Sequence, residues 1–328
     1  METQPKQGVF AGVPLFPLIQ KHLMDLSLVA IIVLLGALFS ILNPDFIGIG
    51  NIMNIVRQSS VICIVAIGMT VVMITGGLDL SVGSSIALGG AIGAIVLAAT
   101  GNGAIGIVAI VFSCGIIGLI NGLMIGVYNI NPMMTTLATM ALARGLTLGS
   151  SHATSVAVSN GAVNWLGGGQ LGPIPAALLV IVVLYAVFYL IFKRTTFGTY
   201  IYAIGGNKMA ARASGVKTRR VVMLTYTLLG LLVGVASIIT VGRLQSAQPW
   251  AGLGLEFDVI TAVVIGGTSL MGGEGNLVGT LLGAIVMGIL TNGLAFMDLS
   301  PFYQYIIRGV LILGVVYIDS FLHRQRAA

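Results

Sequence analysis

Charge is what this chain has least of. Asp, Glu, Lys and Arg make up 7% of 328 residues, against 57% hydrophobic residues, and a water-soluble domain cannot cover its surface with so few charges. Cysteine is almost absent: Cys63 and Cys114 lie inside apolar runs with no CxxC spacing, which excludes a disulfide framework and a thiolate metal site. The three histidines are scattered, and neither HExxH nor GxSxG occurs. A phosphate-cradling Walker A loop is missing too. The one Lys followed by Ser or Thr is Lys217, and Val216 stands before it where that loop needs Gly. The expectation is a chain that is not an enzyme, binds no metal and does not hydrolyse ATP. The first twenty-five residues hold Pro14 and Pro17 but no apolar core ending at a small-residue cleavage site, so the first spanning helix is expected to serve as an uncleaved signal.

Long apolar runs are abundant. A bilayer core of about 30 Å takes roughly 20 helical residues, and about ten runs of that order are bounded by Pro, Gly clusters, Asn or charge. They fall near 26–42, 58–75, 82–99, 104–127, 133–149, 174–192, 220–242, 257–271, 277–297 and 302–322. The second and eighth are short and end in glycine-rich breaks.

The basic residues orient these spans. Lys193 to Arg220 holds seven of the fifteen Lys and Arg residues and no acid; such loops stay on the cytoplasmic side. An even number of spans places Lys6, Lys21, Arg324 and Arg326 on that same side, leaving Arg243 alone in an outer loop and Arg57, Arg144 and Arg308 in or beside spans. The net charge of +6 is thereby explained by topology, and nucleic acid is excluded as a partner. The expected fold class is an all-α polytopic membrane protein with both termini cytoplasmic. Residues 1–25 form a cytoplasmic segment, 26–322 a single transmembrane domain and 323–328 a tail. The long connection 150–173 is outer, and 193–219 is cytoplasmic.

Many of the forty-six glycines lie within spans, where they permit close helix contact and breaks buried in protein. Two breaks stand out, Gly76 to Ser84 and Gly266 to Asn276. A short echo links Gly77-Leu78-Asp79-Leu80-Ser81, on the inner side, with Gly252-Leu253-Gly254-Leu255-Glu256, on the outer side. That is the pattern of an inverted repeat of spans two to five and seven to ten.

Asp79 is the costliest intramembrane acid. It has two readings: a cap on the helix beginning near Val82, the more economical, or a contact to substrate or proton. Arg144 is close enough to its helix end to snorkel outward, whereas Arg308 is deeper and needs an acid such as Glu256 or Asp258. Arg57 lies in an amphipathic stretch, Asn51 to Gln58, suited to the outer interface. Gly205-Gly206-Asn207 through Ala210-Ala211-Arg212 to Gly215 reads as a short capped helix within the basic loop, more order than a connector requires.

Taken together, Gly77 to Ser84, Tyr202 to Gly215, Arg243 to Pro249, Glu256 to Gly279 and Tyr303-Gln304 with Arg308 resemble the permease subunits of ribose-type ABC sugar importers, in the same order over most of the chain. The resemblance implies a multi-pass permease of the bacterial cytoplasmic membrane that pairs with a second permease subunit, a homodimer being the simplest case. ATP and Mg would be bound by separate cytosolic ATPase subunits, with no cofactor on this chain, and an extracytoplasmic binding protein would deliver a ribose-like monosaccharide. Gly205, Gly206, Asn207, Ala210, Ala211, Arg212 and Gly215 match the family's coupling loop, with Ala210 and Ala211 as its close-fitting face. Asp79, Ser81, Ser84, Arg144 and Arg308 are the candidates for the substrate path or gate. Arg243, Gln245, Gln248, Glu256 and Asp258 are the candidates for docking the binding protein or lining the entrance. A proton-coupled secondary transporter working without an ATPase is the competing expectation, and it would depend on Asp79.

Overall fold

The computed structural model describes residues 15–327, with side chains described for 25–300 and 302–317. Residues 1–14, including Lys6, and the side chains of Lys21, Arg324 and Arg326 lie outside the described residues. The chain is mostly helical: α1 (Leu15–Leu42), α2 (Ile49–Ile74), α3 (Val82–Thr100), α4 (Gly103–Gly122), α5 (Pro132–Ser150), α6 (Gly161–Gly168), α7 (Ala176–Arg194), α8 (Thr196–Gly206), α9 (Lys208–Ala213), α10 (Thr218–Leu244), α11 (Leu255–Ile265), α12 (Leu277–Phe296) and α13 (Pro301–Ala327). Among the described residues, seven helices are long and apolar enough to cross a membrane: α1, α2, α3, α4 with the π turn that follows it, α7, α10 and α12. The other expected spans fall on α5, which is rich in Thr, on α11, which has only 11 residues, and on α13, whose apolar part is Phe302–Tyr317. The protein is polytopic.

α2 is the central helix, buried almost all round from Ser59 to Ile74. The Asn51 to Gln58 stretch forms the first turns of this helix, which runs unbroken from Ile49, and Arg57 Nη1 lies 3.5 Å from Asn54 Oδ1. α10 is the second buried axis, with Tyr226 and Leu229 fully enclosed. α4 packs along α10, and α12 packs along α2. α3 lies on α10 and α5, and α11 lies on α2 and α13. These contacts exchange in pairs when α2–α5 is swapped with α10–α13.

Close approach depends on absent side chains. A Cβ on Gly118 would collide with Tyr226 O and come within 2.9 Å of Gly230 Cα, so α4 and α10 meet backbone to backbone. In a bilayer, where lipid tails compete equally with apolar side chains, such contact is a principal source of helix association. The two breaks are ended by one device. At α2, Gly77 N donates to Val72 O (3.0 Å) and Gly76 N to Met73 O (2.9 Å); at α11, Thr268 N donates to Val263 O (3.1 Å) and Gly267 N to Val264 O (2.8 Å). This is the Schellman pattern, which requires a left-handed residue, and Gly76 and Gly267 supply it at φ +78° and +84°.

Val156–Ala157 pairs antiparallel with Ser246–Ala247, tying the long connection 150–173 to the segment after α10. We expect Gly230→Val to destabilise the purified protein by about 1–3 kcal/mol through overpacking, seen as a lower midpoint of thermal unfolding in detergent. Gly36→Val on α1, where a Cβ meets nothing within 4 Å, leaves the midpoint unchanged.

Candidate functional site: a capped surface helix and a buried polar core

α9 is held at both ends. Asn207 Oδ1 accepts from Ala210 N at 2.9 Å, capping the helix start. Val216 N donates to Ala211 O and Gly215 N to Arg212 O, both at 3.1 Å, with Gly215 left-handed at φ +85°. The expected Ala210–Ala211 face needs correction. Ala211 is buried against the bundle, and the exposed side is made by Met209, Ala210 and Arg212, Met209 being 77% exposed. A helix of this length presents only one side of each turn, and its anchoring to the chain takes Ala211.

The anchoring reaches both breaks. A Cβ on Gly205 would collide with Ile74 O and with Gly273 N, and Gly273 N donates to Ile74 O at 2.8 Å. Tyr202 Oη donates to Gly275 O at 2.9 Å, while Lys208 Nζ donates to Asn129 Oδ1 at 3.2 Å. The end of α2, the α11–α12 loop, the turn after α4 and the α8–α9 corner therefore form one patch, and a push on α9 bears on all of them.

Asp79 does not cap α3. Its Oδ1 accepts from Ser81 N (2.8 Å) and Ser81 Oγ (2.6 Å), and its Oδ2 accepts from Asn121 Nδ2 (3.0 Å). Asn121 Oδ1 in turn accepts from Thr139 Oγ1 at 2.8 Å, and Ser84 Oγ donates to Ser81 O at 2.9 Å. Ser81 takes the cap position without a side-chain cap bond, because the carboxylate folds back onto the turn two residues on. The chain Asp79–Asn121–Thr139 joins the first break to α4 and α5. Burial of a carboxylate is tolerated when its lone pairs are filled. Asn121 and Thr139 were not singled out from sequence; the signal available was a lone Asn in an otherwise apolar run. Asp79, Ser81 and Ser84 are all sealed inside the chain, each 2% exposed or less.

The other candidates lie apart from this network. Arg144 Nη1 donates to Pro249 O and to Ala251 O (3.3 Å), with its guanidinium carbon 6.0 Å from the Trp250 ring. Arg308 Nη1 pairs with Asp258 Oδ2 at 3.2 Å, the expected partner. Glu256 and Asp258 are buried, at 7% and 4% exposure, which withdraws them from any docking surface. Gln245 and Gln248 remain exposed and Arg243 half-buried. Near the middle of the bundle a Cβ on Gly83 would collide with Gly252 O, so the starts of α3 and α11 meet there.

A buried bundle of broken helices with a separately anchored surface helix is the architecture of a membrane transport component. The chain belongs to the family described as branched-chain amino acid transport system / permease component, whose model matches residues 51–316. It is 40% identical over 298 residues to the ribose import permease protein RbsC of Escherichia coli K12, covering 90% of this chain and 92% of that protein. It is 40% identical over 321 residues to RbsC of Bacillus subtilis, covering 97% of each chain. The L-arabinose ABC transporter permease protein AraH of Azospirillum brasilense is 34% identical over 302 residues, covering 92% of this chain and 89% of that protein. No solved structure matches the chain.

Replacing Asn121 by Leu leaves the buried Asp79 carboxylate short of a donor, and the expected cost is about 1–3 kcal/mol. Thermal unfolding in detergent should show Asn121→Leu well below wild type, and Asp79→Asn, which keeps a polar partner for Asn121, nearer to it.

Proposed function

We infer that this chain is the permease subunit of an ATP-driven importer that moves a monosaccharide, ribose-like or a related pentose or hexose, into the bacterial cytoplasm. The observation that carries this reading is the capped α9 anchored to both helix breaks, in a chain whose relatives include named import permeases for ribose and L-arabinose. ATP and Mg are bound by separate cytosolic ATPase subunits, and an extracytoplasmic binding protein delivers the sugar. ATP-driven closure of those subunits moves α9, and the bundle responds by rigid-body alternation between outward and inward openings.

Ten crossings complete this picture, with α5 and α13 joining the seven long helices, α11 crossing together with the segment Gln245 to Gly254 before it, and both termini on the cytoplasmic side with the basic 193–219 loop. Single domain limits at 26–322 accord with one continuous packed bundle. An inverted repeat relates α2–α5 to α10–α13. It is supported by the exchange of α4–α10 with α2–α12 contacts, and of α3–α5 with α11–α13 contacts. The paired subunit is taken as a second copy of this chain. α5 and α13 leave apolar side chains uncovered at equivalent places in the repeat, among them Met133, Met134, Phe302 and Ile306. Arg243, Gln245 and Gln248 are the residues left to meet the binding protein. The proton-coupled alternative would act through Asp79, and the sealed, fully bonded carboxylate gives it little support.

Affinity purification from native membranes tests the reading. Wild type brings down an ATPase. Met209→Glu with Ala210→Arg, which alters the exposed side of α9 and spares Ala211, lowers its recovery at least about tenfold, as expected for losing a small packed contact of about 1.4 kcal/mol or more. Equal recovery with both would remove α9 from the interface. No ATPase with either, together with uptake driven by a proton gradient, would favour the secondary transporter.

A further inference from the structure

α11 connects two regions of the bundle. Past its last turn, the segment Gly266 to Gly275 enters the patch beside α9, where Gly273 N donates to Ile74 O and Tyr202 Oη to Gly275 O. Its first turn lies at the contact between Gly83 and Gly252, and a Cβ on Gly83 would also come within 2.6 Å of Glu256 Oε2. The 11 residues of the helix span about 16 Å. A Cβ on Gly283 would collide with Ala262 O and one on Gly279 with Gly266 O, so α11 lies backbone to backbone on α12. Packed in that way it is a stiff rod, not a hinge.

At the Gly83–Gly252 end, α11 holds α13 by an ion pair. Arg308 Nη1 lies 3.2 Å from Asp258 Oδ2, with the two side chains 17% and 6% exposed. α13 packs mainly on α11 and leaves Phe302, Ile306, Val310 and Leu313 uncovered. Lipid tails compete equally with such side chains, so apolar contact alone fixes the position of α13 poorly and a directional polar pair settles it. A buried ion pair adds little to stability, because desolvation offsets its attraction, and its best-attested use is to set register.

The first half has a tie at the same place. Leu119-Ile120-Asn121-Gly122-Leu123 is echoed by Leu290-Thr291-Asn292-Gly293-Leu294. Thr139 stands on α5 where Arg308 stands on α13, seven residues after the opening proline, Pro132 or Pro301. Thr139 is short and reaches Asp79, at the break before α3, through Asn121. Arg308 is long and reaches α11 directly. Each of these flanking helices is therefore gripped at one position by one polar side chain.

We propose that Asp258 and Arg308 are positioning residues for transport, the grip by which α11 carries a displacement of α9 to α13. The Asp79–Asn121–Thr139 chain is its counterpart for α5. The proposal rests on the reading of the chain as the permease of an ATP-driven importer.

Two arms test it, and they separate its failure from failure of that reading. The informative variant replaces both charges at once, Asp258→Leu with Arg308→Met, because an apolar pair leaves no unpaired charge in the bundle and is tolerated about as well as the ion pair. In the first arm, the complete importer with its ATPase and binding protein is reconstituted in proteoliposomes. Uptake of radiolabelled D-ribose, L-arabinose or another transported sugar is measured beside ATP hydrolysis. The apolar pair should still assemble and hydrolyse ATP, yet move about tenfold less sugar per ATP, within the about 5–150-fold that coupling between sites spans. Arg308→Lys, which keeps a cation on α13 for Asp258, should keep most of the coupling.

In the second arm, the full-length chain in lipid nanodiscs carries spin labels at Val108 on α4 and Leu313 on α13, both exposed. Unlabelled chain is added in excess so that distances within one chain dominate, and the buried Cys63 and Cys114 stay unlabelled. The distance distribution should be narrow in wild type and in Arg308→Lys, and clearly broadened in the apolar pair. An apolar pair that moves as much sugar per ATP as wild type, or keeps the wild-type distribution, overturns the grip and leaves Asp258–Arg308 as a packing contact. Wild type that hydrolyses ATP and takes up sugar upholds the importer reading in either case. If wild type does neither, that reading fails on its own, and the spin-label arm decides whether the pair places α13. Should the apolar pair not accumulate, Asp258→Asn with Arg308→Leu serves in both arms.

Discussion

A helix interrupted inside a bilayer leaves backbone N–H and C=O groups with no water to bond, and every other feature of this protein accommodates that constraint. The chain breaks helices at Gly76 to Ser81 and around Gly266 to Asn276, and brings the starts of α3 and α11 together within the bundle. Each break is closed by its own backbone and by neighbouring chain. Schellman bonds end α2 and α11, the Asp79 carboxylate organises the turn into α3, and Gly273 N takes up the carbonyl of Ile74. These solutions need close backbone approach, which is why glycine recurs where α4 meets α10 and where Gly83 meets Gly252. α2 and α10 are then forced to the centre, since the broken segments must be enclosed by something longer.

The same economy links the surface helix α9 to the interior. α9 is too short to be stable alone, so its order comes from its caps and from what α8 and Ala211 are packed against. What they are packed against is the patch where the end of α2 and the α11–α12 loop meet. Beyond the first break, the Asp79–Asn121–Thr139 bonds continue into α4 and α5. A displacement of α9 therefore has a contiguous physical route into the helices of both halves, without any single flexible hinge.

The arginines follow a different logic. Arg144 bonds the carbonyls of Pro249 and Ala251 and Arg308 pairs with Asp258, so each of these charges meets a partner elsewhere in the chain.

Much of this was legible from sequence where the signal was local. Apolar run length located the long spans, Asn207 and Gly215 marked the ends of α9 through cap chemistry, and separated motifs pointed to the permease family. α11 read as a full span because its apolar run continues past Ile265, while the Gly266–Gly267 turn that ends it has no hydrophilic marker. What the sequence by itself determined was the class of molecule, a glycine-rich multi-span membrane bundle, because composition and period act along the chain. Only the tertiary structure decided that Ala211 faces inward, that Asp79 bonds to Asn121, that Arg144 reaches Pro249 and that Glu256 and Asp258 are enclosed. Those outcomes depend on which helices lie side by side, and residues distant along the chain carry no local mark of their partners.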